Sequence, residues 1–291
     1  MTVKKTKGLN QGSTGMRVFR YAVLLIFVLL FLMPIYVVVV TSLKAPDEVS
    51  VPGMWELPTS LSFANFGDAL GKPEIYNGLV NSVIVALISS VVSSLMGASN
   101  GFVLSKWRFP GANVVFSLML FGMFIPYQAV LIPMTQFMTN TGLMGGGEPT
   151  GGLAALIIAH IVYGLPITTL IFRGYYAGVP DTIFESARVD GAGMLRSFWS
   201  IGLPLALPAF AVSIIWQFTS AWNDFLFGVV MTTNNTSWPV TIGLNNIAGA
   251  QTVPFGETMA AALIASLPTL LVYIILGRFF MRGLMAGALK G

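Results

Sequence analysis

Few side chains in this sequence could do chemistry, and they fall into two groups. The first is Trp216, Gln217, Trp222, Asn223 and Asp224, inside an apolar run over residues 205–231. Indole faces beside amide and carboxylate groups suit the binding of a neutral polyhydroxylated solute. An ionisable group within an apolar span is costly to keep there and is a functional candidate by default. The same residues also suit a helix–helix hydrogen bond to a second membrane subunit. The second group is Glu185, Ser186, Ala187, Asp190 and Gly191, followed by Ile201, Leu203 and Pro204, with Arg188 and Arg196 among them. Nothing in either group reads as catalytic. Cysteine is absent and there is one histidine, so there is no thiol nucleophile and little ligand supply for a metal. That histidine, His160, reads as a core residue, and Glu257 as the cap of a helix start. No cofactor is expected.

The elements that must position these residues are helices in lipid. Of 291 residues, 55% are hydrophobic and 9% charged, against about 25% charged in an average soluble domain. So few charges cannot cover a water-soluble surface, which makes this an all-α, multi-pass membrane protein. Apolar runs predict six transmembrane helices over residues 19–40, 78–105, 113–138, 153–176, 205–231 and 257–280. The first is too long for a secretory leader and lacks a small-residue cleavage site, so it reads as a retained span, kinked at Pro34. In the second, Ser89, Ser93, Gly97 and Gly101 recur every four residues and form a small-residue face for close helix packing. The third is expected to break near Pro126 and Pro133. Residues 45–77 read as a polar loop with a short helix near 63–70. Residues 106–111 read as a basic turn, and 140–152 and 232–256 as polar loops.

Charge assigns the sides. Lys4, Lys5, Lys7, Arg17, Arg20, Lys106, Arg108, Arg173, Arg188, Arg196, Arg278, Arg282 and Lys290 fall on one side of a six-span chain, and only Lys44 and Lys72 on the other. Basic residues collect in cytoplasmic loops, so both termini and the stretch 178–204 are expected in the cytoplasm. In that stretch Thr182 and Glu185 have capping-box spacing, and Gly191 suits the position just past a helix end. The expectation is a short helix, a glycine break, a second short helix to about residue 200, and a fifth span opening at Pro204, where proline is tolerated.

Glu185-Ser186-Ala187, three residues, Gly191, nine residues, Ile201, one residue, Leu203-Pro204: this spacing resembles the EAA loop of permease subunits of binding-protein-dependent ABC importers. Serine at 186 departs from the alanine usual there. Three further stretches resemble the maltose-type carbohydrate permeases, and look most like the glucose/mannose and α-glucoside types. They are Thr41-Ser42-Leu43-Lys44, the run from Leu61 to Phe66, and the run from Ala221 to Leu226. The resemblance implies a type I ABC importer permease fold in a bacterial cytoplasmic (inner) membrane. It implies two ABC ATPase subunits, a second permease subunit and an extracytoplasmic sugar-binding protein as partners, besides membrane lipid, and no nucleic acid. ATP hydrolysis would then belong to a separate subunit, since no G-x-x-x-x-G-K-[ST] stretch is present. It implies that Glu185, Ser186, Ala187, Asp190, Gly191, Ile201, Leu203 and Pro204 couple to the ATPase. The C-terminal Ala286, Gly287, Lys290 and Gly291 would reach into the ATPase interface. The loop at 232–256 would reach the binding protein.

The organisation expected is a cytoplasmic segment 1–18, a first span and outer loop 19–77, a five-helix core 78–282 with the loop 178–204, and a tail 283–291. A polyol or glycerol phosphate fits the composition as cargo, and a self-contained secondary transporter is the distant alternative. Internal repeats or a buried acid chain for ion coupling would mark the latter.

Overall fold

The computed structural model describes residues 14–107, 109–145, 150–250 and 253–288. Helix α1 (Thr14–Ser42) keeps its apolar side chains exposed along nearly its whole length and buries only Val40, Thr41 and Ser42. A helix that is apolar all round and this exposed belongs in lipid. Pro34 lies inside this unbroken helix. The loop after it is polar but ordered by its side chains. Asn65 at the start of α2 (Ala64–Gly71) donates through Nδ2 to the carbonyls of Ser42 and Lys44, at 3.2 and 2.8 Å.

Helix α3 (Pro73–Lys106) is the spine. Proline at its first position costs no hydrogen bond there, and the helix opens five residues before the expected 78. Its small-residue face is used. A Cβ at Gly101 would stand 2.6 Å from the Arg173 nitrogen, so α6 (Leu153–Ala177) lies against bare backbone. Thr168 Oγ1 donates to the Ser93 carbonyl at 3.0 Å in the same seam.

Between them, α4 (Ala112–Gly122) and α5 (Tyr127–Asn140) meet at a 96° bend. The break at Pro126 is where the sequence places it; Pro133 lies inside α5 and breaks nothing. After α6 come α7 (Asp181–Val189), α8 (Met194–Ser197), a π-helical turn Phe198–Gly202, and α9 (Leu203–Leu205). The fifth span does not open at Pro204. It opens as α10 (Leu207–Trp222) after a 77° bend at Ala206. Pro204 and Pro208 both lack an N–H, and the Pro208 ring crowds the Pro204 carbonyl, so two helical bonds are missing within one turn and a bend is favoured here.

That span also breaks at residues 223–225, before α11 (Leu226–Met231). The stretch read as a polar loop at 232–256 contains α12 (Val240–Ala248), which buries Val240, Ile242 and Ile247. Finally α13 (Phe255–Ala288) runs past the expected end at 280, because Met, Leu, Arg and Ala in this stretch all favour helix. The expected tail from 283 thus begins as a continuation of this helix, to Ala288. Ala286 and Gly287 sit near its end, and Lys290 and Gly291 lie outside the described residues.

Among the described residues there is no strand. Helices α1, α3, α6 and the 255–277 part of α13 are long and apolar enough to cross a membrane, and each bent pair counted as one span gives six.

Candidate functional site

The stretch 178–204 folds into an elbow with two faces. Its first arm, α7, starts after Pro180. The expected capping box is not made: no side chain caps α7, and Ser186 Oγ donates to the Thr182 carbonyl at 2.8 Å. What fixes this end is a residue 75 positions earlier. The ammonium of Lys106 is buried and donates to Asp181 Oδ1 at 2.5 Å and to the Val179 carbonyl at 2.6 Å.

The other end of α7 closes as its glycine requires. Gly191 has φ +81°, its N–H reaches the Arg188 carbonyl at 3.0 Å, and the Ala192 N–H reaches the Ala187 carbonyl at 2.8 Å. These are the paired bonds of a Schellman end. Arg188 then turns back, donating to the Lys106 carbonyl at 2.9 Å and lying 4.6 Å from the Trp107 ring centroid. The elbow is thus clamped by charge to the end of α3, which composition alone presented as a plain basic turn.

Its inner face is an aromatic knot. Phe102 of α3 meets Phe184 of α7 at 5.3 Å, Tyr176 of α6 at 5.6 Å, both edge to face, and Phe198 beyond α8 at 5.5 Å. Such ring pairs add about 0.5–1.5 kcal/mol each beyond their buried area. A Cβ at Gly202 would stand 3.2 Å from the Phe102 ring, so the π-helical turn passes close over the knot. At the bend, Tyr175 Oη donates to the Leu205 carbonyl at 2.7 Å, which satisfies an end group the broken helix leaves open.

The outer face is exposed. Glu185, Ser186, Asp190, Gly191 and Pro204 lie on it, while Ile201 and Leu203 are half-buried. Ala187 points inward and is buried beside Phe184. Sequence reasoning missed three exposed apolar side chains on this face: Val189 (89% exposed), Leu195 (68%) and Trp199 (59%). The i, i+4 spacing of Leu195 and Trp199 in a charged loop was the available signal.

The first group of candidates is split by the structure. A cavity of about 560 Å³ has Trp216, Gln217, Ser220, Asn223, Asp224 and His160 in its wall, together with Tyr127 and Tyr163. Trp222 is absent from that wall. It is buried, stacked on Phe218 at 5.6 Å, and its Nε1 donates to the Ala265 carbonyl at 3.0 Å, tying α10 to α13. Gln217 is buried too, donating to the His160 carbonyl at 2.8 Å across to α6. Trp216 is 56% exposed, and Ser220 and Asn223 are exposed.

Asp224 sits in the break of the fifth span, where its carboxylate accepts from the Gly228 N–H at 3.0 Å and the Phe227 N–H at 3.5 Å. It therefore satisfies the opening of α11, as an anion does at a helix N-terminus. Its own carbonyl accepts from Thr241 Oγ1 at 2.7 Å. His160 Nε2 lies 3.6 Å from Asp224 Oδ2 and has no hydrogen-bond partner. Glu257, expected as a cap, is in the first turn of α13 and pairs with Lys72 at 2.9 Å. No cluster of metal-ligating side chains occurs among the described residues.

Apolar spans, a polar wall at a helix break, and a two-faced elbow clamped to the spine define a multi-pass membrane transport permease. Residues 96–285 match the family model described as the binding-protein-dependent transport system inner membrane component, and the chain belongs to that family. A probable ABC transporter permease of Pyrococcus horikoshii is 41% identical over 192 residues, covering 66% of this chain and 68% of that one. The xylose/arabinose import permease of Haloferax volcanii is 33% identical over 290 residues, covering 94% and 93%. A bacterial ABC transporter chain involved in import of the polysaccharide alginate superposes with a TM-score of 0.78 at 23% identity, over 93% of this chain and 99% of that one.

Proposed function

We propose that this chain is the membrane-spanning subunit of an ATP-driven sugar importer, and that a separate ATPase drives it through the elbow. The observation that carries this reading is the elbow's construction. Phe184, Lys106 and Arg188 lock its inner face to α3 and, through Phe102 and Tyr176, to α6, so a push on its outer face moves the helices as a body instead of bending a loop. Glu185, Asp190, Val189, Leu195 and Trp199 give that outer face the mixed apolar and acidic character of a protein-docking surface.

In this reading two ATPase subunits close on ATP. Their motion turns α7 to α9, and the bundle rocks between outward and inward access beside a second permease subunit. Trp216, Ser220, Asn223 and Asp224 form this chain's part of the translocation path, suited to a neutral hydroxylated cargo. The loop around α12 meets an extracytoplasmic binding protein, and the C-terminal Ala286 to Gly291 approaches the ATPase. The thirteen-to-two partition of basic residues supports termini and elbow in the cytoplasm of a bacterial inner membrane. The relatives include permeases named for import of xylose/arabinose, glucose and α-glucoside, which supports a sugar over a polyol or glycerol phosphate as cargo.

Reconstitution in vesicles tests it. Sugar uptake is expected only when ATPase, second permease and binding protein are all present with ATP. Uptake by this chain alone would overturn the proposal in favour of a self-contained transporter.

A further inference from the structure

A second cavity, of about 980 Å³, opens beside the elbow between the start of α4 and the end of α6. Its walls are apolar on the membrane side, with Leu104, Val114, Phe116 and Leu170, and polar at its head, where Arg173, Asn113 and Ser105 stand beside the paired Lys106 and Asp181. Arg173 reaches across from α6. Its guanidinium lies 3.9 Å from the Phe116 ring centroid, and Nη2 donates to Asn113 Oδ1 at 2.8 Å. No carboxylate among the described residues pairs with it. Ser105 Oγ is buried without a hydrogen-bond partner. On the same side, Val114 is 62% and Leu118 65% exposed, so the cleft runs into an apolar outer surface.

A guanidinium held flat by a ring and an amide, with donor positions to spare, suits bidentate binding of a phosphate. Free phosphate would have no use for the apolar walls. The elbow's outer face, where a soluble partner would dock, is a different surface. The charge at the head and the continuity with lipid-facing side chains both fit one occupant. We propose that this cleft holds an anionic phospholipid, its phosphate on Arg173 and its acyl chain along Leu104, Val114 and Leu170. The inference rests on the reading that this end of the bundle lies at the charged face of the membrane, where basic pockets between spans recognise such headgroups. It places a lipid next to the turn that clamps the elbow.

The test is native mass spectrometry of the assembled transporter released from nanodiscs of equal dioleoylphosphatidylglycerol and dioleoylphosphatidylcholine. The wild-type complex is expected to retain phosphatidylglycerol over phosphatidylcholine by about fivefold. Arg173→Gln removes the preference and Arg173→Lys keeps part of it. Val114→Trp, which fills the cleft and leaves the Arg173 contacts intact, lowers retention of both lipids. Equal retention by the wild type, an unchanged preference in Arg173→Gln, or displacement of the lipid by excess inorganic phosphate would overturn the proposal. Lipid retention is read without cargo or ATP, so a complex that imports no sugar leaves this result standing, and the reverse also holds.

Discussion

The elbow and the polar cavity are built on opposite plans. The elbow is irregular in backbone but closed in packing: three short helical pieces and a π-helical turn, every one packed on the aromatic cluster that contains Phe102. The cavity takes its wall from the long helices α6 and α10 and from the break at 223–225, and it is open. Its wall holds an exposed Trp216, an exposed Asn223, and a histidine nitrogen with no partner. A region that must pass on a displacement cannot have slack, because slack absorbs the movement. A region that must take up and release a solute cannot be filled, because filling leaves nothing for the solute to bind. The difference between them is thus one of packing: filled around Phe102 in the elbow, open beside Trp216 and Asn223 in the cavity.

The comparison breaks first if the knot is dispensable. Phe102→Ala removes the ring that touches Tyr176, Phe184 and Phe198 at once. Truncating a buried phenylalanine costs about 3–5 kcal/mol, and here the loss detaches the elbow from the spine. A large drop in thermal unfolding temperature in detergent is expected, together with loss of transport. A wild-type melting curve would mean that the elbow is held by something else.

The clamp comes next. Lys106→Met keeps the length of the side chain and removes the donor to Asp181 and the Val179 carbonyl. Asp181 is half exposed, so water replaces part of what is lost, and about 1–3 kcal/mol is expected. The informative measurement is the number of solutes imported per ATP hydrolysed. It should fall about tenfold in Lys106→Met, an effect of the same size in free energy, and recover in Lys106→Arg. An unchanged ratio with a lowered melting temperature would reduce Lys106 to a structural residue.

How much of this was legible in the sequence follows the same division. The elbow was readable in outline because its signals are local. Gly191 ends α7 since only a residue at ease with positive φ fits there, and apolar runs mark the spans. What escaped was set by partners far along the chain. Thr182 and Glu185 have the spacing of a capping box, yet α7 is anchored through Asp181 to Lys106. The break at 223–225 carries neither proline nor glycine. It is held by Asp224 on the N–H groups of 227 and 228 and by Thr241 on the carbonyl of 224, and no periodicity reports that. Trp222 goes with its neighbours by adjacency in sequence, although one step along a helix turns a side chain by about 100°, which takes Trp222 off the cavity wall and onto α13. The inward direction of Ala187 was hidden for the same reason.

The orientation of Ala187 sharpens the contrast between the elbow's two faces. The chain has no cysteine, so a single introduced thiol reports alone. Val189→Cys stands where the side chain is 89% exposed and Ala187→Cys where it is 7% exposed. Maleimide labelling of the permease without its ATPase should be about tenfold faster at 189, a difference of ~1.4 kcal/mol. ATPase added in excess should then slow labelling at 189 and leave 187 unchanged. Equal rates at the two positions would mean that the two-faced elbow is wrong.

The smallest expected effect separates structure from solute inside the cavity wall. Asp224→Asn keeps an oxygen that can accept from the Gly228 N–H, so the opening of α11 is kept and the charge beside His160 is lost. A stability change of about 1 kcal/mol or less is expected, because a neutral acceptor replaces a charged one in a single bond. If Asp224 only caps α11, transport follows that small change. If its carboxylate also meets the solute, the concentration for half-maximal uptake rises several-fold while the melting temperature barely moves, and Trp216→Ala raises it in the same way. Trp222→Phe is the control. It removes the bond to the Ala265 carbonyl at a cost of about 1 kcal/mol and should shift melting without touching that concentration. A Trp222→Phe variant altered in solute dependence alone would put the path on the other side of α10, where the structure has only packed side chains.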